Sequence, residues 1–485
     1  MDGAGGAASG VGAASAGGAV GAGGAVGAVG KRRPGGLLWQ RNFRLLWFGE
    51  TVSQLGNAMA VVGVPLVAVI VLHAGVVAVS VLAAAGWLPW LLIGLPAGAW
   101  VDRWPARRVM IACDLVSVVL YASVPCAAWA GVLTIWLVVA VQLAGGAASV
   151  LFMTAYQVYL PSLVAPSELV EGNTKMQGSA SAAAFAGPGL AGVAAQLAGA
   201  VTALLGNAVS VLVSAACRLA VRPARPARPA SADAGRPTTL RREMADGLRL
   251  VLRDPFLRQL STFWAAANLA LTGYAALLVV FLVRVIGLAP GSVGLLTAIP
   301  GAGGILGALL TGRITSRYGT ARGLLLSTWC AVPFGLLIPL AGPGWRLGFY
   351  VVGAMAAYTG IAVGNVIIAA FRQSYSPPGM CGRVTATMRF LIFGTSPLGA
   401  LLGGALASLL GVRPALWILL GAAAASGTLL ATRALLGRRD LPAAPPLGGH
   451  AGPGSLAEPS SSVGRPHAVR APAPVSSVPL TPPET

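Results

Sequence analysis

Glu50 and Asp114 stand inside long apolar runs, although the whole chain holds only 13 Asp and Glu. A charge at the centre of a bilayer costs roughly 2.5 to 3.5 kcal/mol even on insertion scales, so an acid kept there needs a partner or a task. Glu50, Ser53, Gln54 and Asn57 recur at helical spacing and share one helix face, which makes that face polar within an apolar segment. Such a face lines a cavity better than it meets hydrocarbon, and a carboxylate partly withdrawn from water there can load and release a proton. Glu50 is therefore the leading candidate for a proton carrier. The competing reading puts it near one membrane surface, where it simply reaches headgroups. Asp114, two helical turns after Arg107, is expected to be an ion-pair partner of that arginine and a second acid of the coupling set.

The other chemistry-bearing stretch is a basic hinge, Gly98 to Arg108, squeezed between two apolar runs. Gly98, Arg103 and Arg108 return at the same offsets as Gly312, Arg317 and Arg322. Gln157, Tyr159 and Pro161 return as Gln373, Tyr375 and Pro377 at nearly the same shift, and Met176 returns as Met388. Three echoes in order at one shift indicate duplicated halves, which in an apolar chain is a transporter signature.

The elements that must position these residues are membrane helices. The chain is 56% hydrophobic and 9% charged, with a mean hydropathy of +0.78; soluble domains carry about 25% charged residues. The net charge of +20 comes from short clusters between apolar runs, which reads as anchoring of membrane loops and excludes a nucleic-acid surface. The five cysteines are scattered singly and the three histidines lie in a loop and the tail, so neither a disulfide framework nor a metal site is expected. Gly30-Lys31 is followed by Arg32 where a phosphate loop needs Ser or Thr, so no nucleotide motor and no cofactor are expected.

A crossing helix needs about 20 apolar residues, and twelve such runs are present. They cover roughly 45–71, 77–101, 109–130, 133–156, 178–199, 201–221, 258–283, 292–312, 323–341, 346–371, 389–410 and 414–436. The expected fold is an all-α membrane protein of twelve transmembrane helices in two pseudo-symmetric six-helix bundles. Its parts are a Gly/Ala-rich disordered tail over 1–36, a first bundle over 37–221, a linker with an amphipathic helix over 222–255, a second bundle over 256–437 and a Pro-rich disordered tail over 438–485. Arginines and lysines crowd alternate loops, including Arg107, Lys175, Arg317 and Arg438, while the opposite loops hold only Arg284, Arg346 and Arg413. Positive loops stay inside, so both termini are expected to be cytoplasmic in the plasma membrane.

Phe43-Arg-Leu-Leu-Trp-Phe-Gly49, Val101-Asp-Arg-Trp-Pro-Ala-Arg-Arg108, Leu169 to Gln177 and Arg383 to Phe390 together resemble landmarks of the major facilitator superfamily, in its bacterial efflux branch with macrolide and siderophore exporters. The resemblance covers residues 40–437. Gly98 to Arg108 is similar to the superfamily's loop motif between spans two and three, with Pro105-Ala106 where that motif has a single Gly. Gly187, Pro188 and Gly192 are similar to its antiporter motif, with Ala183 and Ala191 replacing two glycines. The same small residues also suit plain helix packing.

The resemblance implies alternating access, a gate of Gly98, Asp102, Arg103, Arg107 and Arg108, and an approach of Asp102 to the start of span eleven, where Arg389 can pair with it. Alternatively, Asp102 balances Arg103 and Arg107. It also implies that spans one, four, seven and ten line the cavity, which selects Gln54, Asn57, Gln142, Asn268, Tyr358 and Asn365 as substrate-binding residues. A mostly apolar pocket with few polar contacts suits hydrophobic substrates. The expected activity is thus proton-coupled efflux of hydrophobic small molecules such as antibiotics or secondary metabolites, by a monomer in the lipid bilayer rather than by an enzyme. Siderophore export, uptake, and a non-transporting sensor or assembly role on the same fold are the alternatives.

Overall fold

The computed structural model describes residues 36–94, 96–101, 103–221, 248–376 and 381–442. The expectations for the two tails, most of the linker and Asp102 lie outside those residues. Among the described residues every regular element is helical. Twelve helices carry the fold: α1 (Arg41–Leu66), α2 (Val76–Leu92), α3 (Ala106–Trp129), α4 (Ile135–Leu163), α5 (Leu169–Ala198), α6 (Ala200–Ala220), α7 (Pro255–Val280), α8 (Pro290–Tyr318), α9 (Thr320–Leu326), α10 (Leu347–Tyr375), α11 (Cys381–Leu410) and α12 (Val412–Ser426). Helix α9 is short because a π turn over Ser327–Ala331 and a 3-10 stretch over Val332–Leu340, which holds Pro333 and Pro339, continue its path to Leu340; proline removes the N–H that an α-helix needs there.

Eleven of these segments are long and apolar enough to cross a membrane, and α2, at 17 residues, is the shorter one. The sequence places the second span over 77–101, but the helix stops at Leu92 and a separate turn of helix covers Pro96–Val101. Pro96 opens that second turn, since a proline fits the first position of a helix, where its missing N–H would have had no partner. Elsewhere the helices outrun the apolar runs, mostly at one end: α4 continues to Leu163, α8 to Tyr318 and α10 to Tyr375, while α5 starts at Leu169. Apolar composition marks only the part of a helix suited to hydrocarbon, and these helices extend past their apolar runs. The twelfth span is the converse case, ending at Leu430 with a short helix after it.

The duplication appears as packing. In the first half α1 packs on α5 and α6, α2 on α4, and α3 on α4 and α6; the pattern recurs six helices later, as α7 on α11 and α12, α8 on α10, and α9 on α10, with the 3-10 stretch Val332–Leu340 that continues α9 packing on α12. Helices α1 and α7 each end in a π turn, Val67–Val71 and Phe281–Val285, at the offset that separates Gly98 from Gly312. The bundles meet through α2 against α11 and α5 against α8. Both crossings are close because small residues face each other there: a Cβ on Gly192 would stand 2.6 Å from Cα of Gly294, and one on Gly404 would collide with Ser80.

The core divides unequally between the two ends of the molecule. At the end opposite residue 41, one continuous apolar cluster takes residues from both bundles, among them Leu66, Val124, Leu204, Tyr274, Phe281 and Tyr350. At the end where α1 begins, there are two separate clusters, one around Phe43, Met110 and Tyr159 and the other around Phe256, Ile367 and Tyr375. The bundles are therefore fused at one end and have independent cores at the other.

Candidate functional site

Glu50 on α1 and Asp114 on α3 both turn toward Arg218 on α6. Arg218 is fully buried, Glu50 is 5% exposed and Asp114 is 3% exposed. One guanidinium nitrogen, Nη2, donates to Oε2 of Glu50 at 2.5 Å, and Nη1 donates to Oδ2 of Asp114. The ring of Phe152 on α4 lies under the guanidinium, 4.5 Å from its carbon, and Gln54 Nε2 donates to the second Glu50 oxygen at 2.8 Å. Four helices of the first bundle thus converge on one cluster. Close approach of α1 to α6 makes it possible, since a Cβ on Gly49 would stand 2.9 Å from Cβ of Cys217.

The charge count gives this cluster its chemistry. Taking an ion out of water costs several kcal/mol, and a partner in good geometry is needed to offset it. Here two carboxylates share one guanidinium, so with both acids ionised the cluster carries one negative charge in excess, and uptake of one proton neutralises it.

The pairing differs from the sequence expectation for Asp114. Arg107 lies two turns from it along α3, about 10 Å, and points instead to the end of α6, donating from Nε and Nη2 to the carbonyl of Arg218 at 3.1 and 3.0 Å and from Nη2 to that of Leu219 at 2.9 Å. Those are unsatisfied carbonyls at a helix C-terminus, where a cation is favoured. Arg218 completes the cluster, a residue that the sequence expectations do not include. Its signal was present all the same: an arginine within an apolar span requires a counter-charge as surely as an acid does.

The remaining candidates scatter. Gln54 and Gln142 are half-buried, and Tyr121 Oη meets Oε1 of Gln142 at 3.4 Å. Asn57 and Asn365 are exposed although they lie mid-helix. Asn268 is spent on a neighbouring helix: its Nδ2 donates to the carbonyl of Ile392 at 2.8 Å, to Ser396 Oγ at 2.9 Å and to Thr395 Oγ1 at 3.2 Å, tying α7 to α11. Tyr358 is half-buried at the edge of the shared core cluster. Gly187 and Gly192 serve helix crossings, against Ala58 of α1 and Gly294 of α8, with Pro188 buried between them. In the hinge Gly98 is half-buried, while Arg103 and Arg108 are exposed. Arg389 is half-buried, and its Nε and Nη2 are enclosed without a hydrogen-bond partner.

Comparison with known proteins agrees with this architecture. The family profile described as Major Facilitator Superfamily matches residues 46–393. The multidrug efflux pump Tap of Mycolicibacterium fortuitum is 28% identical over 385 residues, covering 76% of this chain and 90% of its own. An uncharacterized MFS-type transporter of Sinorhizobium fredii is 26% identical over 332 residues, covering 66% of this chain and 79% of its own. Among solved structures, a mutant of the nucleoside transporter NupG aligns over 80% of this chain and 98% of its own with a TM-score of 0.67 at 12% identity. A bacterial homologue of the iron transporter ferroportin, in an inward-facing state, aligns over the same shares with a TM-score of 0.57 at 18% identity. The duplicated twelve-helix packing and the profile spanning most of its length agree: this chain is a multi-pass membrane transporter that belongs to the Major Facilitator Superfamily.

Proposed function

We propose that the protein is a proton-coupled exporter of hydrophobic small molecules, working by alternating access. The observation that carries this reading is the buried Glu50–Arg218–Asp114 cluster, whose two acids and one base leave room for one exchangeable proton. The resemblance to pumps named for multidrug efflux supports export as the direction. Arginines crowd the loops at the end where α1 begins, so that end is cytoplasmic and both termini with it. The divided core at that end and the joined core at the other correspond to an inward-facing state. Bundles over 37–221 and 256–437, joined by the linker at 222–255, are the two bodies that rock as one monomer.

Coupling follows from where the cluster meets the cavity face of α1. Gln54 holds one oxygen of Glu50, and Asn57 is exposed one turn further on. A hydrophobic substrate settling against Gln54 and Asn57, with Gln142, Tyr358 and Asn365 on the facing helices, disturbs that hydrogen bond and favours proton release to the cytoplasm. After the switch, substrate leaves outward and a proton from outside restores the neutral cluster, which can be reburied. Asp102 acts as the latch of the outward-facing state, with Gly98, Arg103, Arg107 and Arg108 shaping its loop; the enclosed and unpartnered nitrogens of Arg389 offer it a counter-charge. Glu50→Gln tests the reading. The variant should lose uphill export in proteoliposomes and keep measurable substrate binding, and undiminished proton-driven export would remove Glu50 from the mechanism.

A further inference from the structure

The contact between α1 and α6 is more polar than packing requires. Gly49, Gly56 and Gly63 line α1 at one-heptad intervals and let α6 approach. Alanines opposite them would suffice, yet α6 presents Asn207, Ser210, Ser214 and Arg218 at spacings of three and four residues, all on one buried face. Asn207 and Ser214 are both fully buried, and neither the Asn207 amide nitrogen, nor its oxygen, nor Ser214 Oγ has a hydrogen-bond partner. Ser210 Oγ donates back to the carbonyl of Asn207 at 2.7 Å on its own helix. The Ser210 hydroxyl and the Asn207 oxygen face Gly56, where an added Cβ would collide with the first and stand 2.8 Å from the second.

Polar residues in membrane helices commonly act as glue, but glue bonds cross from one helix to the next. None of these side chains bonds to α1 apart from Arg218 itself. A buried polar group left unpaired costs about 1 to 3 kcal/mol, so this row holds hydrogen-bonding capacity in reserve at a cost to stability. It also leads somewhere. From Arg218 it runs along α6 toward the far end of the molecule for about 16 Å, at 1.5 Å per residue. Beyond Asn207 it is closed by Ala203 and Leu204, both fully buried, with Ala203 packed on Gly63. Ala203 and Leu204 belong to the apolar cluster that joins the two bundles at that end.

We propose that the α1–α6 seam, from Asn207 through Ser210 and Ser214 to Glu50, is a proton relay that loads the acid cluster from the outer side; it rests on the proton-coupling reading above. When the outer end opens, the cluster containing Ala203 and Leu204 parts and water reaches Asn207. The Asn207 amide orients that water without titrating. A hydronium ion gives up its proton there and is left as water. Each intervening water or serine oxygen accepts one proton and releases another, and the last proton bonds to a Glu50 carboxylate oxygen, turning the anion into the acid. When the outer end closes, the alanine–leucine plug breaks the path, so the cluster exchanges protons with one side at a time.

The test uses the full-length protein in proteoliposomes with ethidium as the transported probe and trapped pyranine reporting proton flux, in H2O and D2O. Ser214→Ala and Asn207→Leu should each slow ethidium-driven proton flux about a hundredfold, the lower end of the range for a lost positioned proton transfer, with ethidium binding unchanged by anisotropy. Ser214→Thr, which keeps the hydroxyl, should restore the flux, and D2O should slow the wild type. Wild-type flux in both Ser214→Ala and Asn207→Leu would overturn the relay. If those variants are unaffected while Glu50→Gln abolishes flux, the relay alone fails; if Glu50→Gln keeps full flux, the coupling reading beneath it fails.

Discussion

Replacing Arg218 with leucine removes the one base that two buried acids share. Both guanidinium contacts are lost at once, and the carboxylates of Glu50 and Asp114, 5% and 3% exposed, are left facing each other without compensation. Breaking a buried pair by removing one partner costs about 3 to 5 kcal/mol, whereas replacing the whole group by neutral residues of similar shape is often neutral or stabilising. The single variant Arg218→Leu should therefore unfold well below the wild type, and the triple variant with Glu50→Gln and Asp114→Asn should recover most of the loss. Thermal unfolding in detergent, followed by tryptophan fluorescence, reads both. Arg218→Lys should fall between them, because one ammonium cannot reach both carboxylates with the geometry of the fork. An Arg218→Leu protein as stable as the wild type, or a triple variant no better than the single one, would refute the reasoning that Arg218 offsets the burial of both acids.

Three further outcomes follow from the packing. Gly192→Leu puts a side chain where Cα of Gly294 lies 2.6 Å from the Cβ position, so it should spread the α5–α8 crossing and abolish transport; a cysteine pair across that crossing should then crosslink poorly. Asn268→Ala removes three donor contacts from α7 to α11 and should lower stability by about 1 to 3 kcal/mol while leaving substrate affinity nearly unchanged in an equilibrium binding assay, which separates a tie between helices from a ligand contact. Asp102→Asn and Arg389→Gln should each weaken the outward-facing state, and thiol labelling of the cytoplasmic cavity should rise in both; unchanged labelling would dismiss the latch.

The architecture was legible in the sequence because apolar runs and a repeated basic hinge report directly on the membrane and on duplication. The echo of Gly98 in Gly312 returns as a six-helix shift of the packing pairs, with the 3-10 continuation of α9 taking the helix's place against α12. Helix ends were less legible, since α4, α5, α8 and α10 run on past their apolar runs. The cluster was half legible. Glu50 and Asp114 stood out as acids in apolar surroundings, but the partner of Asp114 comes from α6, and spacing along α3 can only nominate neighbours on the same helix, such as Arg107. Asn268 shows the same limit, because a polar residue inside a span looks alike whether it faces a cavity or, as here, the backbone of Ile392.

The most direct test of proton-coupled export is made in inverted membrane vesicles that hold an imposed proton gradient, acid inside. Hydrophobic compounds added from several chemical classes should dissipate the gradient in vesicles carrying the wild type, with a dependence on compound concentration that saturates, and should leave it intact in vesicles carrying Glu50→Gln. A gradient untouched by every compound in the wild type, or dissipated equally in the variant, would contradict the account.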